Sequence, residues 1–258
     1  MNYTVINDNL SYVTTSYKDI YTTVYLIKTD KGYMLFDTAS FDEDIDNTLI
    51  PYLNEAGVDK ENLKYVFISH AHKDHMGGLE RLLKFYPDVT VITKSKMLAD
   101  SLSAFKCIIP SESDVFLDVL SVVLIPGHSA CSQAIYDKRD KSLITGDCLQ
   151  LYGIYGSGNW ACNITLPEKH FEALDKIEKM DISAIYTAHD YHPMGQFYVG
   201  KEKVKEAIKN CREPLFNLKE MIRENSSLSD EEIMELYNKD GKLPKVGVGV
   251  IKNLRPLI

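Results

Sequence analysis

No run of apolar residues in this 258-residue chain approaches the roughly 18 that cross a bilayer as a helix, so a membrane-spanning helical protein is not expected. The opening residues, Met1-Asn2-Tyr3-Thr4-Val5-Ile6-Asn7-Asp8, lack the basic start and apolar centre of a secretory signal, and a cytoplasmic protein is the expectation. A basic excess is missing too. Lys and Arg number 29 against 37 Asp and Glu, a formal charge of -8, which disfavours nucleic-acid binding through a general basic surface. The five cysteines (Cys107, Cys131, Cys148, Cys162 and Cys211) are odd in number and contain no Cys-x-x-Cys pair. Free thiols are therefore expected, with Cys131 and Cys148 read as small packed residues. Repeats, linkers and low-complexity stretches are absent, so a single domain over 1–258 is expected. What is present is ordinary for a globular core: 45% hydrophobic and 26% charged residues.

Strand and helix signals alternate through the first half. Thr22 to Thr29 and Tyr33 to Asp37 flank Asp30-Lys31-Gly32 and read as a hairpin. Residues 42 to 56 carry Ile45, Leu49, Ile50 and Leu53 at helical spacing, with Pro51 leaving the continuity of that helix open. Leu79, Leu82 and Leu83 predict a helix ending before Pro87, Val89 to Thr93 a strand, and 95–105 another helix. In the second half Val122 to Ile125, Gln133 to Tyr136, Ser142 to Thr145 and Ile182 to Tyr186 read as strands. Thr165-Leu166-Pro167-Glu168 has the form of a capping box opening a helix to about Met180. From about 199 the chain turns to lysine- and glutamate-rich helices. Pro214 is expected to break the first, and Ser229-Asp230-Glu231-Glu232 to cap the last. This extension, 199–258, either packs on the core or forms a lid over the site.

One feature stands apart. Ser69-His70-Ala71-His72-Lys73-Asp74-His75-Met76-Gly77-Gly78 crowds three of the seven histidines and an aspartate into six positions. Imidazole nitrogen and carboxylate oxygen together suit zinc and its divalent neighbours. The cluster follows the strand-like Tyr65-Val66-Phe67-Ile68, and three further strand-like runs lead into His128, Asp147 and His189. In α/β proteins the carboxyl ends of strands are where ligands bind.

With these motifs in view the chain resembles the metallo-β-lactamase superfamily of metal-dependent hydrolases. The matching elements are the His-x-His-x-Asp-His cluster, Pro126-Gly127-His128-Ser129, Thr145-Gly146-Asp147, Ala188-His189-Asp190 and the early Met34-Leu35-Phe36-Asp37-Thr38. The fold this resemblance implies is a four-layer αβ/βα sandwich of two mixed sheets flanked by helices. It implies that His70, His72 and His128 hold one metal, that Asp74, His75 and His189 hold a second, and that Asp147 bridges both. Asp37 would orient a ligand histidine. Six terminal ligands and a bridge are too many for one tetrahedral zinc but suit two ions sharing a hydroxide. Two divalent ions are the expected cofactors, Zn2+ first with Fe or Mn as alternatives, and Asp74 and Asp147 are read as catalytic.

The expected activity is cleavage of an ester-like bond (thioester, lactone or lactam) in a small molecule. The alternatives are a phosphodiesterase or nuclease of the same superfamily, or an iron-dependent oxidoreductase of the sulfur-dioxygenase kind. A homodimer is compatible with the sequence. The glycine- and aromatic-rich stretch Leu151 to Trp160 follows the bridging aspartate, and Tyr152, Tyr155, Trp160, Tyr191 and His192 are the candidate substrate contacts. His170, beside Lys169 in a helix, reads as a surface residue.

Overall fold

The computed structural model describes residues 3–149, 163–191, 194–239 and 245–258. It divides into two compact units, Met1–Leu124 with Gln133–Arg139 and Ile125–Ser132 with Asp140–Ile258. The described strands form two mixed sheets, one of seven and one of six strands.

The first unit holds the seven-stranded sheet, its strands side by side in chain order: β1 (Thr4–Asn7), β2 (Leu10–Tyr17), β3 (Ile20–Thr29), β4 (Gly32–Phe36), β5 (Leu63–Ile68), β6 (Thr90–Thr93) and β7 (Cys107–Ile108). Pairing is antiparallel from β1 to β4 and parallel from β4 to β7. The expected hairpin is β3–β4. β5 reads as an apolar run because Val66, Phe67 and Ile68 are all buried. The same unit carries the antiparallel strands β8 (Val115–Phe116), β9 (Leu120–Leu124) and β10 (Gln133–Asp137). Tyr65 meets Phe116 edge to face at 5.0 Å. Gln133 donates from its backbone to Ser69 O (2.9 Å) and from Nε2 to Ile68 O (2.8 Å). These bonds pin the end of β5, where the histidine cluster begins.

Helical structure between β4 and β5 is continuous from α1 (Asp42–Asp44) through a π-helical stretch (Ile45–Leu49) into α2 (Ile50–Glu55). Pro51 is accommodated in the first turn of α2, and the wider π turn lies immediately before the missing N–H. α3 (Lys73–Met76) and α4 (Leu79–Phe85) follow β5, and α5 (Lys96–Ser101) is shorter than the expected 95–105 helix. Ser95 Oγ caps it by accepting from Leu98 N.

In the second unit β11 (Ser142–Gly146) runs parallel to β12 (Ala184–Tyr191), and β13 (Gly195–Val199) pairs antiparallel with β12. β12 is longer than predicted and includes His189 instead of stopping before it. α6 (Pro167–Glu178) opens with Pro167 as expected, but Thr165 does not cap it. Its hydroxyl donates instead to His128 O at 2.9 Å, and its N–H and that of Leu166 both donate to Gly127 O. α7 (Lys201–Glu224) runs straight through Pro214, against expectation. A proline inside a helix costs about 3 kcal/mol, whereas burying a Leu or Ile contributes about 1.5–3 kcal/mol each. Leu215, Leu218 and Ile222, all buried just beyond Pro214, offset it. α8 (Asp230–Asn238) has the predicted capping box, Ser229 and Glu232 bonding reciprocally, but α9 (Val248–Leu254) comes after it. No helix among the described residues is long and apolar enough to cross a membrane.

Candidate metal centre

In the first unit the donors lie on the turn between β5 and α4. His70 and His75 are fully buried, Asp74 is nearly so, and His72 is partly exposed. The His70 ring sits 4.5 Å from that of His72 and 4.2 Å from that of His75. A buried carboxylate organises them. Asp37 Oδ2 accepts from His75 Nδ1 (2.7 Å) and from Ser69 Oγ (2.8 Å), while Oδ1 accepts from Ser69 N (2.7 Å). With its proton given to Asp37, Ser69 Oγ is the acceptor for His70 Nδ1 at 3.0 Å. One carboxylate thus fixes the ring of His75 directly and that of His70 through Ser69. Burial pushes the Asp37 carboxyl above its ordinary pKa, and its bonds to His75 and Ser69 oppose that shift.

The turn is shaped by two glycines. A Cβ on Gly77 would meet Ser40 O, and one on Gly78 would lie 2.5 Å from Thr38 O. Only glycine lets loop 38–41 approach this closely. That loop is strained as well, with Asp37 at φ +67 and Ala39 at φ +63. Thr38 N donates to His75 O (2.7 Å) and Gly78 N to Ala39 O (3.2 Å), so ligand turn and loop brace each other.

The second unit carries His128, Asp147 and His189, all buried. His128 Nδ1 donates to the carbonyl of Asn163 at 2.8 Å, which leaves Nε2 as its lone-pair nitrogen. His189 Nε2 lies 2.9 Å from Asp147 Oδ1, and His128 Nε2 lies 3.8 Å from Oδ2. In the first unit His75 Nε2 lies 3.2 Å from Asp74 Oδ2, which also accepts from Thr22 Oγ1. For His75 and His128 alike, one ring nitrogen is committed to a protein acceptor. The other turns its lone pair toward a carboxylate, an arrangement that calls for a cation between the two. These donors fit divalent metal ions.

His170 is not on the surface. It lies on the inward side of α6 with Pro167, Ala173, Leu174 and Ile177, only 1% exposed. A Cβ on Gly127 would fall 2.7 Å from His170 Cβ and Nδ1, so the ring backs directly onto the loop that carries His128. Among the described residues neither ring nitrogen has a hydrogen-bond partner. Desolvation, reinforced by the nearby His128 and Arg212, lowers its pKa from 6.5 to about 3. The spacing 170, 173, 174, 177 is the sequence signal that would have revealed this burial. Tyr191 is fully buried, its ring 6.2 Å from that of His189. Tyr152, Tyr155, Trp160 and His192 lie outside the described residues. Cys131 and Cys148 form no disulfide, and Cys131 is half-buried beside Ser129.

A family model described as the metallo-beta-lactamase superfamily matches residues 17–189. The chain is 28% identical over 138 residues to a hydroxyacylglutathione hydrolase of Prochlorococcus marinus, an alignment covering 50% of this chain and 53% of that one. It is 26% identical over 172 residues to a hydroxyacylglutathione hydrolase of Vibrio campbellii, covering 66% and 65%. The chain therefore spans between about half and two thirds of these relatives' length. A solved metallo-beta-lactamase of Cronobacter sakazakii with an HARLDQ motif superposes with a TM-score of 0.61 at 16% identity, covering 84% of this chain and 93% of that one. At that identity the likeness shows the fold: an α/β sandwich of two mixed sheets flanked by helices.

Proposed function

The chain belongs to the metallo-beta-lactamase superfamily, and from that premise we propose that it is a dinuclear metal-dependent hydrolase of small-molecule thioesters. In this reading His70, His72 and His128 hold one ion, Asp74, His75 and His189 the other, and Asp147 is shared. The observation that carries it is the wiring of the histidines. His70, His75 and His128 each engage an acceptor through Nδ1 (Ser69, Asp37 and Asn163 O), which reserves Nε2 for metal.

When bound, divalent ions would supply the Lewis acidity that lowers the pKa of a coordinated water and polarises a carbonyl. The protein's own part is positional. Asp37 and Ser69 hold two donor rings at fixed tilt, Asn163 O holds the third, and the Gly77–Gly78 turn keeps the cluster against its bracing loop. Hydrolysis of a thioester adds water across the acyl C–S bond and releases a carboxylic acid and a thiol. The thioester is favoured over a lactone or lactam by the two hydroxyacylglutathione hydrolase relatives. Zinc is the ion we assign first, because nitrogen and carboxylate donors together suit it.

The test is a panel of thioesters, lactones, β-lactams and phosphodiesters, run on zinc-loaded and chelator-treated protein alongside elemental analysis. Thioester turnover lost with chelator and about two zinc per chain is the expected outcome. One iron per chain without zinc would reject the hydrolase in favour of redox chemistry.

A further inference from the structure

Beside the donors of the first unit lies a feature that metal binding does not use. Lys73 stands between His72 and Asp74 in the chain, and its Nζ lies over the Phe41 ring, 4.4 Å from the centroid. Phe41 in turn sits 6.4 Å from the Tyr17 ring, and Lys18 Nζ lies over Tyr17 at 5.3 Å. Two lysines are thus seated on two neighbouring aromatic rings at one margin of the cluster. Phe41 remains 39% exposed, a large ring left in water.

The placement of Phe41 is built into the backbone. It follows the loop held at left-handed φ by Asp37 and Ala39, the loop that Gly77 and Gly78 make room for. Asp44 Oδ2 accepts from both Ser40 N (3.2 Å) and Phe41 N (3.0 Å), fixing where the loop ends. Non-glycine residues in left-handed backbone persist only where the surroundings over-determine them, and they cluster at functional sites.

Lys73 has no carboxylate partner among the described residues. Some surface lysines, such as Lys141, Lys169 and Lys203, reach a carboxylate, and others, such as Lys64 and Lys94, a backbone carbonyl. Among the described residues Lys73 has only the Phe41 ring, although the acidic Asp42, Glu43 and Asp44 follow that ring in the chain. A lysine next to two proposed metal ions raises the local positive potential. The arrangement becomes favourable when an anion arrives.

We propose that Lys73, seated on Phe41, is a carboxylate-binding subsite selecting thioesters that carry a carboxylate near the scissile bond. This rests on the hydrolase reading and narrows it to anionic substrates. The ring holds the ammonium in place and offers an apolar face to the substrate's carbon chain.

The test compares two thioesters alike except that one bears a carboxylate and the other its carboxamide. For metal-loaded wild type, Lys73→Met, Lys73→Arg and Phe41→Leu, the readouts are KM, kcat and metal content. An exposed ion pair of ordinary strength sets the expected size: the preference in KM for the carboxylate falls about fivefold in Lys73→Met and about twofold in Phe41→Leu. It is retained in Lys73→Arg, with kcat and metal content held in all. An equal change for both substrates, or no change, overturns the subsite. If wild type hydrolyses neither thioester, the hydrolase reading fails by itself. The subsite is then decided by calorimetry with the thioether carrying the same carboxylate. Weaker binding to Lys73→Met than to wild type supports it, and equal binding overturns it.

Discussion

Replacing His170 by leucine tests whether a neutral imidazole, without a partner among the described residues, is buried behind the His128 loop. The leucine methyls take the places of Nδ1 and Cδ2, so the contact with Gly127 is kept while both ring nitrogens are removed. The folded-state pKa of His170 lies near 3, below its ordinary 6.5, so the ring's contribution to stability is complete above about 6.5. As pH falls from 6.5 toward 3 the unfolded chain takes up a proton that the folded chain refuses, and stability declines through that window. Between pH 7 and pH 5, an unfolded pKa of 6.5 and a folded pKa of about 3 make this loss about 2 kcal/mol. The substituted leucine side chain cannot protonate, and the variant escapes the loss.

The assay is urea unfolding of wild type and His170→Leu at pH 7 and pH 5, in chelator so that metal ligation adds nothing. Other titrating groups are common to both proteins and cancel in the double difference. The variant is expected to gain about 2 kcal/mol on wild type over that interval, as a shift in midpoint at constant m. It is also expected to be about 1–3 kcal/mol more stable at pH 7, because buried unsatisfied nitrogens are gone. Parallel pH curves would refute the reasoning and show that the ring keeps its ordinary pKa.

Three further outcomes are expected. Asp147→Asn is expected to lower thioester hydrolysis at saturating zinc about a hundredfold, while His192→Ala lowers it less than about tenfold; comparable losses would undo the roles assigned. Ser69→Ala is expected to weaken zinc binding about tenfold in a competition titration, and Ser69→Thr to restore it, since the hydroxyl is what joins His70 to Asp37. Gly78→Ala is expected to cost about 1–3 kcal/mol in urea unfolding, because its Cβ would lie 2.5 Å from Thr38 O.

Legibility in the chain tracks how local each determinant is. The β3–β4 hairpin and the Ser229–Glu232 capping box are readable because each is settled within a few residues by turn or cap chemistry. Pro214 misleads because its local cost is real, yet a buried face on a 24-residue helix outweighs it. Thr165 misleads in another way. It has the sequence of a cap, but a carbonyl 37 positions away in the chain takes its hydroxyl. His170 misleads when its polarity is weighed above its helical spacing with Ala173, Leu174 and Ile177.

The centre shows the same division at finer grain. Side-chain metal donors come from a short list of residue types, chiefly histidine, carboxylate and cysteine, so their identities are written in the sequence. The groups that aim them obey no such restriction. His128 is held by the backbone carbonyl of Asn163, which any residue at 163 would offer. His70 is held by a serine whose role depends on Asp37, 32 positions away. Phe41 and Lys73 lie as far apart in the chain and share no motif; they meet because Gly77 and Gly78 admit the strained loop. The parts of this protein that choose a reaction are therefore spelled by residue type. The parts that tune it, and on our proposal the part that chooses its substrate, are spelled by contacts.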